Sequence, residues 1–554
     1  MQQVIYKNKF APLNRGPAGR PRRILAGLAC GAFVLLAAAP AGSQPRNGGP
    51  RNSGGEFRKQ SGILDGLKLD PIQFQPPVVL REKLTGDARL FSAADASLPY
   101  INLSLYFVGG TQAESPGASP GNARAGGGPG SLEAVLALLE TGGGGERTGD
   151  RLAETLAAMG AKLEFKADYE FWSVNLTILK KDFPTGLKIL EDVLLRPRLP
   201  AERLQIIQNS MLAGIERRND DPARIAARKM NEVLFAGYRR GYSLQAADVR
   251  ALSVAGLREE IGRRLRPGGL YVAASGDIAG LDLKDRLNRL IDQFPSRNQT
   301  AVIERETPRQ GPDPVSDQVL SNLRGRILLV NKPAAQAVIQ IAGFLPPRNS
   351  DDMYALQTGN YILGGGSFNS RLTREIRVRR GLAYYAYSYN DFDASIGRFI
   401  AGSGTRTFLA HQTLQLMLDT IAGMSSPVPA TDLNLAQDAI LNSLAFQFDS
   451  PEDAAYHVFR NELHSMPENY LTNFPGRVRA LTAGDLSAVA RKYLRPADLW
   501  IVVAGPAALK AKLEEIRPVT VIEPEGLLTE IKVAARTAST GPRARNDGSG
   551  QPER

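Results

Sequence analysis

The sequence predicts an α+β fold made of two similar halves, each a largely antiparallel sheet with helices packed on it. Three observations carry that expectation. Alternating apolar runs of strand length, such as residues 100–108, stand beside longer stretches with helical spacing, such as residues 202–218. Strand-like runs also follow one another directly between residues 162 and 179, which fits α+β better than a doubly wound parallel sheet. The order of these signals is then repeated further along the chain, which suggests an internal duplication.

Taken in chain order, residues 1–41 read as a signal peptide. A basic stretch, Arg20 to Arg23, runs into the apolar residues 24–39 and then the small residues Ala39-Pro40-Ala41. An uncleaved anchor is the alternative, although this run is shorter than the 20 or so residues of a spanning helix. Cys30 lies inside the run and lacks the preceding pattern of a lipoprotein site, so lipidation is the weaker alternative. Residues 42–74 read as a flexible tether.

The first half, 75–295, opens with the alternating run 100–108. It continues through helix-like segments at 132–139 and 151–159 and closes on the apolar run 269–277. Asp220-Asp221-Pro222 marks a boundary after a long helix, because the residue before a proline resists helical geometry. The polar, proline-containing residues 296–317 read as a linker. The second half, 318–520, has an alternating run at 337–344, a helix-like segment at 353–363 ending in Gly364-Gly365-Gly366, and a closing run at 497–505. Residues 521–554 read as a polar tail.

Composition narrows the function classes. With 554 residues, 43% hydrophobic and 22% charged, the chain is ordinary globular protein rather than a disordered or fibrous one. Half of the net charge of +12 comes from six basic residues before residue 42, so charge gives nucleic-acid binding little support. One Cys and three His can build neither a disulfide framework nor a Cys/His zinc module. There is no Gly-x-Ser-x-Gly nucleophile elbow, and the glycine run 142–145 lacks the Gly-Lys-Ser/Thr of a phosphate loop.

Several short motifs occur in a characteristic order. They are Val108-Gly109-Gly110 followed by Glu114, residues 156–161, residues 191–197, Asp220-Asp221-Pro222 and Ser275-Gly276-Asp277. In the second half come Leu363-Gly364-Gly365-Gly366-Ser367-Phe368-Asn369-Ser370-Arg371-Leu372, then Glu375-Ile376-Arg377 and Arg380-Gly381-Leu382-Ala383-Tyr384. Together they cover nearly all of residues 75–520 and resemble the pitrilysin/insulinase group of zinc peptidases, the inverzincins. The resemblance implies two homologous halves closing as a clamshell around a central cavity.

That family's catalytic signature is His-x-x-Glu-His on one helix, with a further Glu ligand on a later one. Two histidines four apart face the same way and bind zinc, and the Glu takes a proton from the zinc-bound water. Aligned on the following Leu-Leu-x-x-Gly, this chain places Glu133 and Ala137 at the histidine positions and Leu136 at the general base. The later ligand falls at or near Gly214. The motif is degenerate, so the resemblance implies no intrinsic catalytic site, no metal and no cofactor. The histidine census agrees, since His411, His457 and His464 all lie in the second half. A metal reading of the 457/464 pair is weaker than one of packing or solvation, because no carboxylate motif is interleaved with it.

In the resembling enzymes an Arg and a Tyr seven residues later reach the zinc site from the second half. The Arg holds the substrate main chain and the Tyr donates to the developing oxyanion. Arg377 and Tyr384 match that pair by type and spacing; the plainer reading is a solvated basic run and a strand residue. The resemblance therefore implies a peptidase homologue, inactive alone, that serves as the substrate-binding subunit of a heterodimeric metallopeptidase. Its partner would be a zinc-bearing homologous subunit, which alone carries zinc, and its substrate a peptide or unfolded protein. The alternative is a non-proteolytic scaffold or peptide-binding subunit of an envelope complex. The expected location is the periplasm, after export, with membrane contact only through an uncleaved signal segment.

Overall fold

A computed structural model describes residues 75–114, 127–236, 238–295 and 323–526. These all fall in one unit, Pro71–Arg554. The expected signal peptide (1–41), tether (42–74) and linker (296–317), and everything after residue 526, lie outside the described residues. No helix among the described residues is long and apolar enough to cross a membrane.

The first half contributes β1 (Leu80–Lys83), β2 (Arg89–Ala94), β3 (Tyr100–Val108), a short ribbon of β4 (Gly143–Gly144) and β5 (Arg147–Thr148), β6 (Lys162–Ala167), β7 (Phe171–Leu179) and β8 (Leu270–Gly276). The second contributes β9 (Ile327–Asn331), β10 (Gln336–Leu345), β11 (Ala383–Phe392), β12 (Gly397–Arg406), β13 (Trp500–Gly505) and β14 (Val519–Ile522). Five helices matter below: α1 (Ser131–Gly142), α2 (Ala201–Glu216), α3 (Pro222–Leu234), α4 (Asp352–Asn360) and α5 (Pro451–Leu463).

The two six-stranded sheets run β1-β2-β8-β3-β7-β6 and β11-β12-β10-β13-β9-β14. In the first, β2 and β8 pair in parallel and β8, β3, β7 and β6 continue antiparallel. In the second, β9 and β13 pair in parallel and β13, β10, β12 and β11 continue antiparallel. Five strands therefore share order and polarity, which is the duplication suggested by the repeated sequence signals. The sixth strand differs: β1 joins β2 antiparallel, whereas β14 joins β9 in parallel.

The sheets are apolar on both faces, and this dictates how the halves join. Ile101, Leu103, Leu105 and Phe107 of β3 face the core beneath α1, while Tyr106 points the other way. That second face is covered by α5, a helix from the other half, through Ala455, Val458, Phe459 and Leu463. Reciprocally, α3 of the first half lays Ile225, Ala226, Met230 and Val233 on Leu328, Val338, Ala342 and Val502 of the second sheet. The spacing of these residues is that of an amphipathic helix. The helix begins at Pro222 because the Asp221 carboxylate accepts from the Ala223 amide at 2.8 Å and proline presets the first helical φ. Fully burying each large apolar side chain contributes roughly 1.5–3 kcal/mol, so the exchange ties the halves into one body. The boundary read at Asp-Asp-Pro is present: the long helix Ala201–Glu216 ends before it, and the exchanged helix begins at Pro222.

Residues 521–526 of the expected tail belong to the fold instead. Val519–Ile522 pairs with β9, and the following turn is held by α3: Arg228 donates to the Pro524 carbonyl at 2.9 Å and Lys229 to the Gly526 carbonyl at 2.6 Å. Sequence polarity hid this because the fixing groups are backbone carbonyls. Residues of both halves line a polar cleft of about 340 Å³.

Candidate functional site

The helix carrying the degenerate motif is anchored at its N-terminus by a buried acid. Glu114, just after β3, accepts from the Leu132 amide at 2.9 Å, the Gly130 amide at 3.3 Å and the Ser131 hydroxyl at 3.4 Å, and pairs with Arg239. It thereby satisfies amides that the first turn of α1 leaves without helical partners, and a negative charge suits that end of the helix dipole. Gly130 enters the helix at φ 82°, a left-handed conformation that favours glycine.

On α1 the motif positions point in different directions. Leu136 is 3% exposed and packs in the first-half core, and Ala137 is half-buried. Gly214 lies on α2, where an added Cβ would meet open space. Glu133 is the one motif position with an ionisable side chain, and it reaches the cleft. Its carboxyl is pushed above the usual range by burial against the surrounding protein and by the Glu114 carboxylate, although its own surface is wetted. Alkyl side chains and a glycine supply neither ligand nor base. Among the described residues no group of three or more His, Cys, Asp or Glu is placed to hold a metal.

Arg377 and Tyr384 are brought together. After α4 the chain winds through a widened turn, Tyr361–Gly365, in which Gly364 packs so closely on β11 that a Cβ would lie 2.3 Å from the Ser388 nitrogen. A second widened helical turn, Thr373–Arg379, presents Arg377. Gly381, at φ 59°, then reverses the chain into β11, the edge strand that carries Tyr384. The Arg377 guanidinium sits 5.7 Å from the Tyr384 ring centroid and 5.0 Å from that of Phe368. Tyr384 is 79% exposed, so its phenol faces outward with the cation beside it. Neighbouring Arg379 and Arg380 both pair with Glu375, and Arg371 pairs with Asp432 at 3.4 Å.

The cleft lies where the halves meet and is lined by ion pairs from both. Arg240 bonds Asp393 at 2.7 Å and lies 3.8 Å from the Tyr169 ring centroid. Arg398 bonds Asp391 at 2.9 Å and Asn231 at 2.8 Å. Glu170, in the β6–β7 turn, accepts from His464 Nε2 at 2.9 Å, Arg460 at 3.3 Å and the Ala394 amide at 2.9 Å. Burial alone would raise the Glu170 carboxyl, but His464, Arg460 and that amide outweigh it and hold it at about 2. Burial pushes His464 the other way, toward the neutral ring. We therefore assign a neutral imidazole donating Nε2–H to the carboxylate, with the buried Nδ1 making no hydrogen bond.

The histidines do not assemble a metal site. His464 serves Glu170, while His457 packs 4.6 Å from the Phe448 ring centroid, and burial with nearby Arg348 and Arg460 depresses it to about 4. His411 contacts Glu515 at 3.4 Å.

Sequence reasoning missed the cleft residues Asp168, Glu170, Arg239, Arg240, Asp393 and Arg460. They are dispersed over almost 300 residues and share no spacing. The one available signal was Glu114, read as part of a motif without a role.

Residues 251–440 match the family described as the Peptidase M16 inactive domain. An uncharacterized zinc protease of Mycobacterium bovis is 24% identical over 367 residues, which is 66% of this chain and 81% of that protein. A non-peptidase homolog, YmxG, of Helicobacter pylori is 24% identical over 269 residues, 48% of this chain and 58% of that protein. Among solved structures, a peptidase M16 inactive domain from Pseudomonas fluorescens superposes with a TM-score of 0.67 at 24% identity, covering 77% of this chain and 98% of that one.

Proposed function

Taking this chain as an inactive-type homologue of the M16 zinc peptidases, we propose that it is the substrate-binding, non-metal subunit of an exported two-chain metallopeptidase. The observation that carries the reading is the pairing of Arg377 with an outward-facing Tyr384 in a chain whose motif positions are Leu136, Ala137 and Gly214. A neutral phenol and a guanidinium are the donors a tetrahedral oxyanion and a peptide main chain require. Placed at the end of an exposed edge strand, they serve a zinc site carried by another chain. The partner is a homologue with an intact His-x-x-Glu-His helix, and the substrate a peptide or unfolded protein.

A second reading, a non-proteolytic scaffold of the cell envelope, is favoured by the Helicobacter pylori relative described as a non-peptidase homolog. Co-purification from the native host separates the two. Recovery of a zinc-bearing homologue, with peptidase activity in the complex and in neither chain alone, supports the first. A stable complex without such a chain supports the second.

A further inference from the structure

The surface that carries Arg377 and Tyr384 holds more positive charge than its own acids take up. Residues 371–380 contain five arginines and one glutamate. Glu375 is occupied by Arg379 and Arg380, and Asp432 by Arg371. Arg374 lies 3.9 Å from Glu375, and its buried Nε makes no hydrogen bond. Arg377 is exposed and has the Phe368 and Tyr384 rings beside it rather than a carboxylate. Arg406, exposed at the end of β12, repeats the arrangement 5.2 Å from the Phe408 ring centroid. It follows Thr405, which pairs with Ala383, the residue before Tyr384. Phe368, Tyr384 and Phe408 are all left mostly exposed. Two of these rings are turned outward by special backbone. The register shifts between Ala383 and Tyr385, so Tyr384 sits in a bulge, which re-aims a strand residue. Phe368 follows Ser367 at φ 53°, a left-handed conformation that is strained for serine and is held by the Ser370 hydroxyl, 2.8 Å from the Ser367 carbonyl.

We propose that the surface around Arg377, Tyr384 and Arg406 takes an acidic peptide, whose Asp or Glu side chains pair with the uncommitted guanidiniums while its apolar atoms rest on the exposed rings. This rests on the proposed function, which puts a peptide at Arg377 and Tyr384, and adds the charge of that peptide. A guanidinium presents a planar fork that matches a carboxylate, and arginines left over by the fold's own acids select an anionic partner. A nucleic acid or an anionic bilayer calls for a broader positive field than this chain supplies, since half of its net charge of +12 comes from residues before 42. Exposed aromatic surface beside the charges suits a peptide that offers both kinds of side chain.

The test is fluorescence anisotropy of the full chain with a labelled glutamate-rich peptide and with the same peptide carrying glutamine or lysine in place of glutamate. The glutamate peptide should bind about tenfold more tightly than the glutamine one and lose that advantage as sodium chloride is added. Arg377→Gln and Arg406→Gln replace exposed side chains, so the fold should persist, as an unchanged melting temperature would verify. Each should weaken binding of the glutamate peptide about threefold, and both together about tenfold. Equal binding of the three peptides, or binding undiminished in the double variant, overturns the proposal. So does binding of poly-dT or of phosphatidylglycerol vesicles by a chain that ignores the glutamate peptide. The same peptides given to a reconstituted complex with a zinc-bearing subunit separate this inference from the reading beneath it. Cleavage without charge preference overturns the acidic specificity and leaves the peptidase role standing. Charge-dependent binding without cleavage upholds the acidic-peptide site and removes the peptidase role.

Discussion

The ring of Phe459 lies flat on that of Tyr106, with centroids 4.1 Å apart and planes 6° from parallel. Phe459 belongs to a helix of the second half and Tyr106 to the central strand of the first, so this stack is where the duplicated halves interlock. The edge of Phe171 closes the contact at 5.1 Å. Neither half presents a finished surface without the other.

Phe459→Ala should therefore destabilise the whole molecule, by about 3–5 kcal/mol, the usual cost of emptying a buried aromatic site. Urea unfolding followed by near- and far-ultraviolet circular dichroism should show one shifted transition common to both halves. Two separated transitions in the wild-type chain would contradict the interlocked packing.

Removing the acid that anchors α1 should be as costly. Glu114→Ala strands the Arg239 guanidinium, which is 11% exposed, without its counter-charge and uncaps the helix. Breaking a buried pair from one side typically costs about 3–5 kcal/mol. Replacing both partners with apolar residues, Glu114→Leu with Arg239→Met, should recover part of that loss, and a double-mutant cycle on denaturation midpoints measures it.

Acid should weaken the fold through His457. Its folded value of about 4 lies below the ordinary 6.5, so the unfolded chain binds the proton first. Stability from this group is complete above about pH 6.5 and is lost as pH falls toward 4, on the order of 3 kcal/mol in all. The neutral, buried His464 acts in the same direction. His457→Phe should flatten the melting temperature across that window; an unchanged slope would place the acid sensitivity elsewhere.

The purified chain should hold no stoichiometric zinc and cleave no unstructured peptide alone, because Leu136, Ala137 and Gly214 offer no ligand or base. Elemental analysis after dialysis, with a chelator-sensitive peptide assay, checks this. About one tightly held zinc per chain would refute it.

In an active complex with a zinc-bearing subunit, Tyr384→Phe should lower turnover by about 10²–10³, the usual effect of losing one oxyanion donor, with assembly intact. Arg377→Ala should mainly raise KM. Unchanged kinetics in both variants would leave the pair a structural feature and favour the scaffold reading.

What was legible in the sequence is what short-range chemistry dictates. Strand period predicted the run realised in Tyr100–Val108, apolar alternation at 337–344 became Gln336–Leu345, and the repeated order of signals became two sheets with five strands in common order. That the motif positions Leu136, Ala137 and Gly214 carry no metal-binding side-chain atom was equally legible, because side-chain identity does not depend on packing. Spacing likewise brought Arg377 and Tyr384 together, since one turn and one glycine separate them.

Tertiary structure decided the rest. Nothing local tells α3 or α5 which sheet it will cover, because amphipathic spacing marks a face to be buried but not its partner. The cleft is less legible still: Glu133, Asp168, Arg240, Asp393 and Arg460 meet only once the helices have crossed. Electrostatic compensation is a property of distance in space, so whether Arg240 is paired and Glu133 is not cannot be read along the chain. The sequence by itself determined which side chains stand at the motif positions; the exchange of two helices determined which charges face one another across the cleft.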